Sequence, residues 1–183
     1  MLKHLPNLLS ALRLAAAPAL ALLLVSGADR AALGVFAFAG LSDAADGFLA
    51  KRFGFATRFG RYLDPAADKL LMFAAFFTLT ALRITPLWLT LLVVARDAAI
   101  VAGILLAHVL RLPIRVEPLL VGKASTAMQI VYIALALLLL TFGVRWPEGE
   151  TIAAGLTAFL TAASWLAYAG VGVNALVRRH PIA

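Results

Sequence analysis

Four aspartates between residues 41 and 70 are the side chains best suited to chemistry. They are Asp43, Asp46, Asp64 and Asp68, and they account for four of the nine carboxylates in the chain. Spacings of three and four residues place each pair on one face of a helix. Carboxylate oxygens suit hard divalent cations such as Mg²⁺, Mn²⁺ or Ca²⁺. The chain has no cysteine, which excludes disulfides, thiolate metal sites and a cysteine nucleophile.

These aspartates stand at the ends of two long apolar segments, where charge is costly. A charged side chain within a membrane span costs on the order of 2.5–3.5 kcal/mol on insertion scales. Four close carboxylates also repel each other. Lys69 and Arg61 could pair with one or two of them, but a divalent cation compensates more completely. We therefore expect a metal site where the two helix ends meet.

The composition indicates that lipid surrounds most of the chain. Hydrophobic residues make up 63% of its 183 residues and charged residues 14%, and the mean hydropathy is +0.98. Average soluble domains are nearer half apolar and a quarter charged. The length favours a single domain over residues 1–183, and neither repeats nor a long linker suggest a second.

Apolar windows long enough to cross a bilayer occur six times. They cover roughly residues 8–27, 31–50, 62–82, 86–110, 121–143 and 151–177. The sequence thus predicts an all-α integral membrane protein with six transmembrane helices. The first segment has some features of a secretory signal, but Pro18 and the late Arg13 favour a retained helix.

The basic residues predict how the helices are oriented. Twelve fall on the side of the two termini: Lys3, Arg13, Lys51, Arg52, Arg58, Arg61, Lys69, Arg111, Arg115, Lys123, Arg178 and Arg179. The opposite loops hold Arg30, Arg83 and Arg145. By the positive-inside rule, both termini and the aspartates should face the cytoplasm. We expect a multi-pass protein of the bacterial inner membrane, whose net charge of +7 serves anionic lipid or substrate and not nucleic acid.

The spacing of the aspartates and their small neighbours resembles a family signature. It reads Asp43-x2-Asp46-Gly47-x2-Ala50-Lys51-x8-Gly60-x3-Asp64-x3-Asp68 and is similar to that of the CDP-alcohol phosphotransferases, integral membrane enzymes of phospholipid synthesis. The family usually has Arg where Lys51 stands. Lysine keeps the positive charge but lacks the planar guanidinium that makes a bidentate contact with phosphate. "LPNLLSALRL", "LDPAADKL", "ARDAAIV" and "VGKASTAMQ" extend the resemblance over most of the chain.

The resemblance implies a reaction and roles for the signature residues. A phosphatidyl group passes from CDP-diacylglycerol to an alcohol, and CMP is released. Asp43, Asp46 and Asp64 would ligate Mg²⁺ or Mn²⁺, and Asp68 would ligate or adjoin the metal and act as general base. The CDP pocket would be lined by Gly47, Ala50, Lys51 and Gly60. Members of the family are commonly dimers, which implies a homodimer here.

Cations outside the signature predict where the acceptor binds. Arg96 and Asp97 lie midway along the fourth span, where an ion pair is costly and often marks a site. With Arg115 and Lys123, Arg96 could form a cationic pocket for a phosphate-bearing acceptor. The alternative for Arg96 and Asp97 is a structural bridge between helices.

Two acceptors fit the resemblance. "ARDAAIV" and "LTAFLTAASWLAYAG" look more like the cardiolipin-forming branch, whose acceptor is phosphatidylglycerol. Glycerol 3-phosphate is the alternative acceptor. A small cation transporter is the rival class, because intramembrane carboxylates also mark ion pathways. Transport sites tend to lie near the bilayer midplane, whereas these aspartates cluster at one end beside basic residues, which favours an anionic substrate.

Overall fold

A computed structural model gives the architecture of the chain. It describes the backbone of residues 5–53, 60–109 and 119–179 and the side chains of residues 11–43, 67–107, 109 and 119–174. The helices in these ranges are α1 (Leu5–Val25), α2 (Asp29–Phe53), α3 (Gly60–Ala81), α4 (Leu87–Val109), α5 (Leu120–Phe142) and α6 (Pro147–Arg179). Within the described residues, the prediction of an all-α fold with six helices is confirmed, and each apolar window falls within one helix to within a residue or two.

Three helices of the described chain are long and apolar enough to cross a membrane. The qualifying stretches are Leu87–Ala107, Leu120–Phe142 and Pro147–Asn174, and α1 contributes a shorter apolar stretch, Ala11–Val25. The helices α2 and α3 carry the aspartates and their basic neighbours, which lower their hydropathy. The three apolar helices indicate a membrane protein. The six-span topology and its cytoplasmic orientation stay predictions.

Three of the helices end in a left-handed residue. The residue is Gly27 after α1 (φ 72°), Gly143 after α5 (φ 63°) and Arg83 after α3 (φ 60°). At the end of α3, the amide of Ile84 donates to the carbonyl of Leu79 at 2.9 Å, which closes the last turn. Glycine adopts this conformation without cost, but a side chain strains it, so Arg83 is a locally unfavourable choice.

The first of two compact units contains α1, α2, α3 and the segment Ile133–Arg145. In it, α1 packs against both α2 and α3. Ala17 and Leu20 of α1 are buried, as are Phe76 and Leu79 of α3. These buried apolar side chains form part of the core of the first unit.

The second unit is built differently, around buried polar side chains. It contains Pro86–Tyr132 and Trp146–Ala183, and within it α4 packs against α6. Ser125 Oγ lies 3.3 Å from Thr161 Oγ1, and Gln129 Nε2 donates to the same threonine oxygen at 3.4 Å. Hydrogen bonds of this kind hold helices together in lipid, where apolar contact alone gives little drive for association.

Candidate active site

Arg13 of α1 lies between a carboxylate of α2 and a carboxylate of α3. Its Nη1 donates to Asp43 Oδ1 at 2.7 Å and to Asp68 Oδ1 at 2.5 Å. The arginine side chain is 1% exposed, while those of Asp43 and Asp68 are 52% and 42% exposed. The guanidinium thus joins three helices from a buried position, and both carboxylates remain partly exposed, so an ion or a phosphate could approach them.

The sequence of α1 accounts for the depth of Arg13. Arg13, Ala17, Leu20 and Leu24 follow one another at spacings of three or four residues, so they share a helix face, and all four are buried. Packing Ala17 and Leu20 into the unit therefore carries Arg13 inward with them. A buried guanidinium must find charged partners, because an uncompensated charge is costly there. Asp43 and Asp68 supply them.

Arg13 was not among the site residues predicted from the sequence. It was grouped with the basic residues on the side of the two termini, and it is part of the stretch "LPNLLSALRL". A signal was present, because an arginine within an apolar segment needs a carboxylate partner and four of the nine carboxylates lie within residues 43–68. Spacing alone gave no means of choosing which aspartates it meets.

The structure brings two of the four predicted metal ligands to one point. Asp43 and Asp68 meet at the same nitrogen atom although 25 residues separate them in sequence. The side chains of Asp46 and Asp64 lie outside the described side chains, as do the predicted CDP-pocket residues Gly47, Ala50, Lys51 and Gly60. Their backbones lie in the C-terminal half of α2 and the first turns of α3.

The donor chemistry at this point fits a hard cation. Half-exposed carboxylate oxygens from two helices converge, and such oxygens are the ligands that Mg²⁺ and Mn²⁺ take. No group of three or more acidic, His or Cys side chains occurs within the described side chains. The full four-aspartate metal site therefore stays a prediction that depends on Asp46 and Asp64.

Arg96 of α4 forms a second buried charge centre, within the second unit. Its Nη1 donates to Asp97 Oδ1 at 2.6 Å, and its Nε and Nη2 donate to Ser164 Oγ of α6 at 3.2 and 2.5 Å. The Arg96 and Asp97 side chains are 5% and 6% exposed. Arg96 therefore bridges α4 and α6, which is the structural role that the sequence left open. Its role toward the acceptor stays a prediction.

The side chain of Arg96 also reaches the first turn of α5. A Cβ placed on Gly122 would lie 3.4 Å from Arg96 Nη2 and 2.9 Å from the hydroxyl oxygen of Tyr168. Lys123, another of the predicted acceptor residues, follows Gly122 in this turn and is exposed. Two of the three predicted acceptor residues thus belong to neighbouring parts of one unit. Arg115, the third, lies outside the described residues.

Comparison with known proteins supports the resemblance seen in the sequence. The sequence model of the CDP-alcohol phosphatidyltransferase family matches residues 3–173. The cardiolipin synthase (CMP-forming) of Homo sapiens is 33% identical over 179 residues, which cover 89% of this chain and 60% of that protein. The protein of the same name from Streptomyces coelicolor is 40% identical over 149 residues, covering 77% of this chain and 67% of that protein.

A relative with a different printed activity is similar to a comparable degree. The chloroplastic CDP-diacylglycerol–glycerol-3-phosphate 3-phosphatidyltransferase 1 of Oryza sativa is 32% identical over 183 residues, covering 90% of this chain and 56% of that protein. The chain spans 60% of the length of the human relative and 56% of that of the rice relative. Because the family match runs through almost all of its 183 residues, the chain belongs to the CDP-alcohol phosphatidyltransferase family.

Proposed function

We propose that this chain transfers the phosphatidyl group of CDP-diacylglycerol to a glycerol-based, phosphate-bearing acceptor and releases CMP. One observation carries the proposal: Asp43 and Asp68, the first and last residues of the family signature, converge on Arg13 in a chain that belongs to this family. The exposed sides of both carboxylates leave room for charged groups beside them.

The proposed metal site uses all four signature aspartates. Asp43, Asp46, Asp64 and Asp68 would hold Mg²⁺ or Mn²⁺, and a bound cation would supply positive charge to offset the pyrophosphate of the donor and the charge that develops on CMP. The proposed CDP pocket is lined by Gly47, Ala50, Lys51 and Gly60. Small residues there let the nucleotide approach the helix backbone, and Lys51 places a positive charge near the phosphates.

Asp68 is proposed as the general base. The acceptor hydroxyl oxygen attacks the phosphorus nearer the lipid, the bond from that phosphorus to the oxygen of CMP breaks, and the hydroxyl proton passes to the Asp68 carboxylate. Arg13 holds Oδ1 of Asp68 by a hydrogen bond of 2.5 Å, which orients the carboxylate. The Asp68 side chain is 42% exposed, so an acceptor hydroxyl can reach its carboxylate from outside the helices.

Phosphatidylglycerol is the acceptor that we favour, with Arg96, Arg115 and Lys123 binding its phosphate. The relatives named cardiolipin synthase (CMP-forming) from Homo sapiens and Streptomyces coelicolor support this choice, as do the sequence stretches "ARDAAIV" and "LTAFLTAASWLAYAG". Glycerol 3-phosphate is the second candidate, supported by the rice relative. A homodimer in the bacterial inner membrane, with the site facing the cytoplasm, completes the proposal.

One assay tests the reaction and the acceptor together. Purified protein is incubated with CDP-diacylglycerol, Mg²⁺ or Mn²⁺, and either phosphatidylglycerol or glycerol 3-phosphate, and CMP and lipid products are measured by mass spectrometry. We expect CMP with phosphatidylglycerol, together with cardiolipin. A product formed only from glycerol 3-phosphate would overturn the acceptor choice, and no CMP with either acceptor would overturn the enzymatic proposal. The Asp43→Ala variant controls for contaminating activity.

A further inference from the structure

Tyr168 of α6 contacts both parts of the proposed acceptor site. Its hydroxyl oxygen accepts a hydrogen bond from the Leu119 amide at 3.3 Å. The guanidinium carbon of Arg96 lies 5.8 Å from the centre of its ring, within the range of a cation–π interaction. Leu119 immediately precedes α5, and its carbonyl accepts from the Lys123 amide at 3.1 Å. The tyrosine therefore joins Arg96 to the turn that carries Lys123.

Gly122 makes this arrangement possible by lacking a side chain. A Cβ at this position would lie 2.9 Å from the Tyr168 hydroxyl oxygen, 3.1 Å from a ring carbon of Tyr168 and 3.4 Å from Arg96 Nη2. The backbone does not explain the glycine, because Gly122 lies within α5 and its φ is not positive. Glycine weakens a helix relative to alanine. Close approach of Tyr168 and Arg96 is thus the physical reason for it.

The hydrogen bonds of Arg96 do not use all of its N–H groups. Asp97 accepts from Nη1, and Ser164 accepts from Nε and Nη2. A guanidinium has five N–H groups, so two of them have no acceptor within the described part of the chain. Asp97 and Ser164 would suffice to bridge α4 and α6. Tyr168 additionally fixes the position of Arg96 relative to the first turn of α5.

We propose that Tyr168, packed against the bare Cα of Gly122, is a positioning residue that sets the separation of Arg96 and Lys123 for the phosphate of the acceptor. This inference rests on the proposed phosphatidyltransferase function. A phosphate held by two cations binds well only when both reach its oxygens at once. Moving either cation should therefore weaken the acceptor and leave the CDP-linked donor unaffected.

Three variants test the proposal, each assayed for the KM of acceptor and donor and for kcat. Gly122→Ala should raise the acceptor KM by roughly tenfold and change the donor KM by less than about twofold, because it displaces Tyr168 or Arg96. Tyr168→Phe removes the hydrogen bond to Leu119 and should raise the acceptor KM by about threefold. In the double variant the hydroxyl that lies 2.9 Å from the new Cβ is gone, so the acceptor KM should fall below that of Gly122→Ala.

Thr161→Val is the matched control. Thr161 is buried in α6, the helix that also carries Tyr168. Its hydroxyl lies near Ser125 and Gln129 of α5, two helical turns away from Tyr168. We expect it to change thermal stability but to leave the acceptor KM within about twofold of the original value. Circular dichroism checks that each variant is folded. If Gly122→Ala does not fold, the acceptor KM of Tyr168→Phe tests the proposal.

The proposal fails if donor and acceptor KM rise together in Gly122→Ala, if the two substitutions are additive, or if Thr161→Val raises the acceptor KM as much. An original chain that releases no CMP with either acceptor would overturn the proposed function, and this inference with it. The two failures are distinguishable, because the first set of outcomes requires an active original chain.

Discussion

Replacing Arg13 with Gln tests whether its guanidinium holds α1, α2 and α3 together at the aspartates. Glutamine keeps a polar amide but removes the charge. Arg13 donates charge-assisted hydrogen bonds of 2.7 and 2.5 Å to Asp43 and Asp68. Bonds of this kind contribute about 1.5–3 kcal/mol each. Since the aspartate side chains are 52% and 42% exposed, water rehydrates them when the bond is lost, and the lower end of that range applies.

The free energy of unfolding should therefore fall by about 3 kcal/mol in Arg13→Gln. The assay is unfolding in detergent micelles with EDTA present, followed by circular dichroism. Arg30→Gln is the matched control, because Arg30 lies in α2 and is exposed. It should change the free energy by less than about 0.5 kcal/mol.

Adding Mg²⁺ tests whether the aspartates of the variant still bind a cation. If they bind it as proposed, the cation supplies positive charge in place of the charge that Arg13→Gln removes. A ligand at about a hundred times its Kd stabilises a protein by about 2.7 kcal/mol, so excess Mg²⁺ should raise the free energy of unfolding of Arg13→Gln by about the amount that the substitution costs in EDTA. An Arg13→Gln variant that is as stable as Arg30→Gln in EDTA, or that Mg²⁺ does not stabilise, would refute the proposed role of Arg13.

Three further substitutions test separate parts of the structure. Asp68→Asn should lower CMP release by at least about a hundredfold while CDP-diacylglycerol still binds; equal loss of donor binding in Asp68→Asn and Asp43→Ala would argue against a base. Lys51→Arg should lower the donor KM by a few fold, because a guanidinium contacts phosphate with two N–H groups, and an unchanged KM would show that a point charge suffices. Arg83→Gly should raise the free energy of unfolding by about 0.5–1 kcal/mol by relieving the left-handed backbone, and a decrease measured by the same unfolding assay would contradict this.

Hydropathy alone predicted the helices, but it missed the beginning of α6. The sixth window was predicted to begin near residue 151, whereas α6 begins at Pro147 and runs for 33 residues. Its first turn contains Glu148 and Glu150, which lower the hydropathy of that stretch yet stabilise a helix amino terminus. Proline at the first position favours the same start. Polar residues that begin a helix are invisible to a search for apolar windows.

The local spacing of the four aspartates allowed a site to be predicted from the sequence, but it did not predict Arg13 as a partner of Asp43 and Asp68. Arg13 lies 30 residues from Asp43 and 55 from Asp68, and nothing in the spacing encodes that contact. Arg96 and Ser164 are 68 residues apart. Gly122 had no role predicted from the sequence, and its role depends on atoms of α4 and α6. Tertiary packing decides such contacts, and a single sequence does not record it.

Arg13 and Arg96 show how the same residue type serves different purposes in the two units. The carboxylates that neutralise Arg13 are about half exposed, so further positive charge can be added from their open sides. Asp97, which neutralises Arg96, is 6% exposed, so the pair is largely buried and carries no net charge. A neutral pair attracts a distant anion weakly, but its directed N–H groups still fix the geometry of a phosphate that has arrived. In the proposed acceptor site, the attraction must therefore come from an exposed cation such as Lys123, and Arg96 contributes orientation.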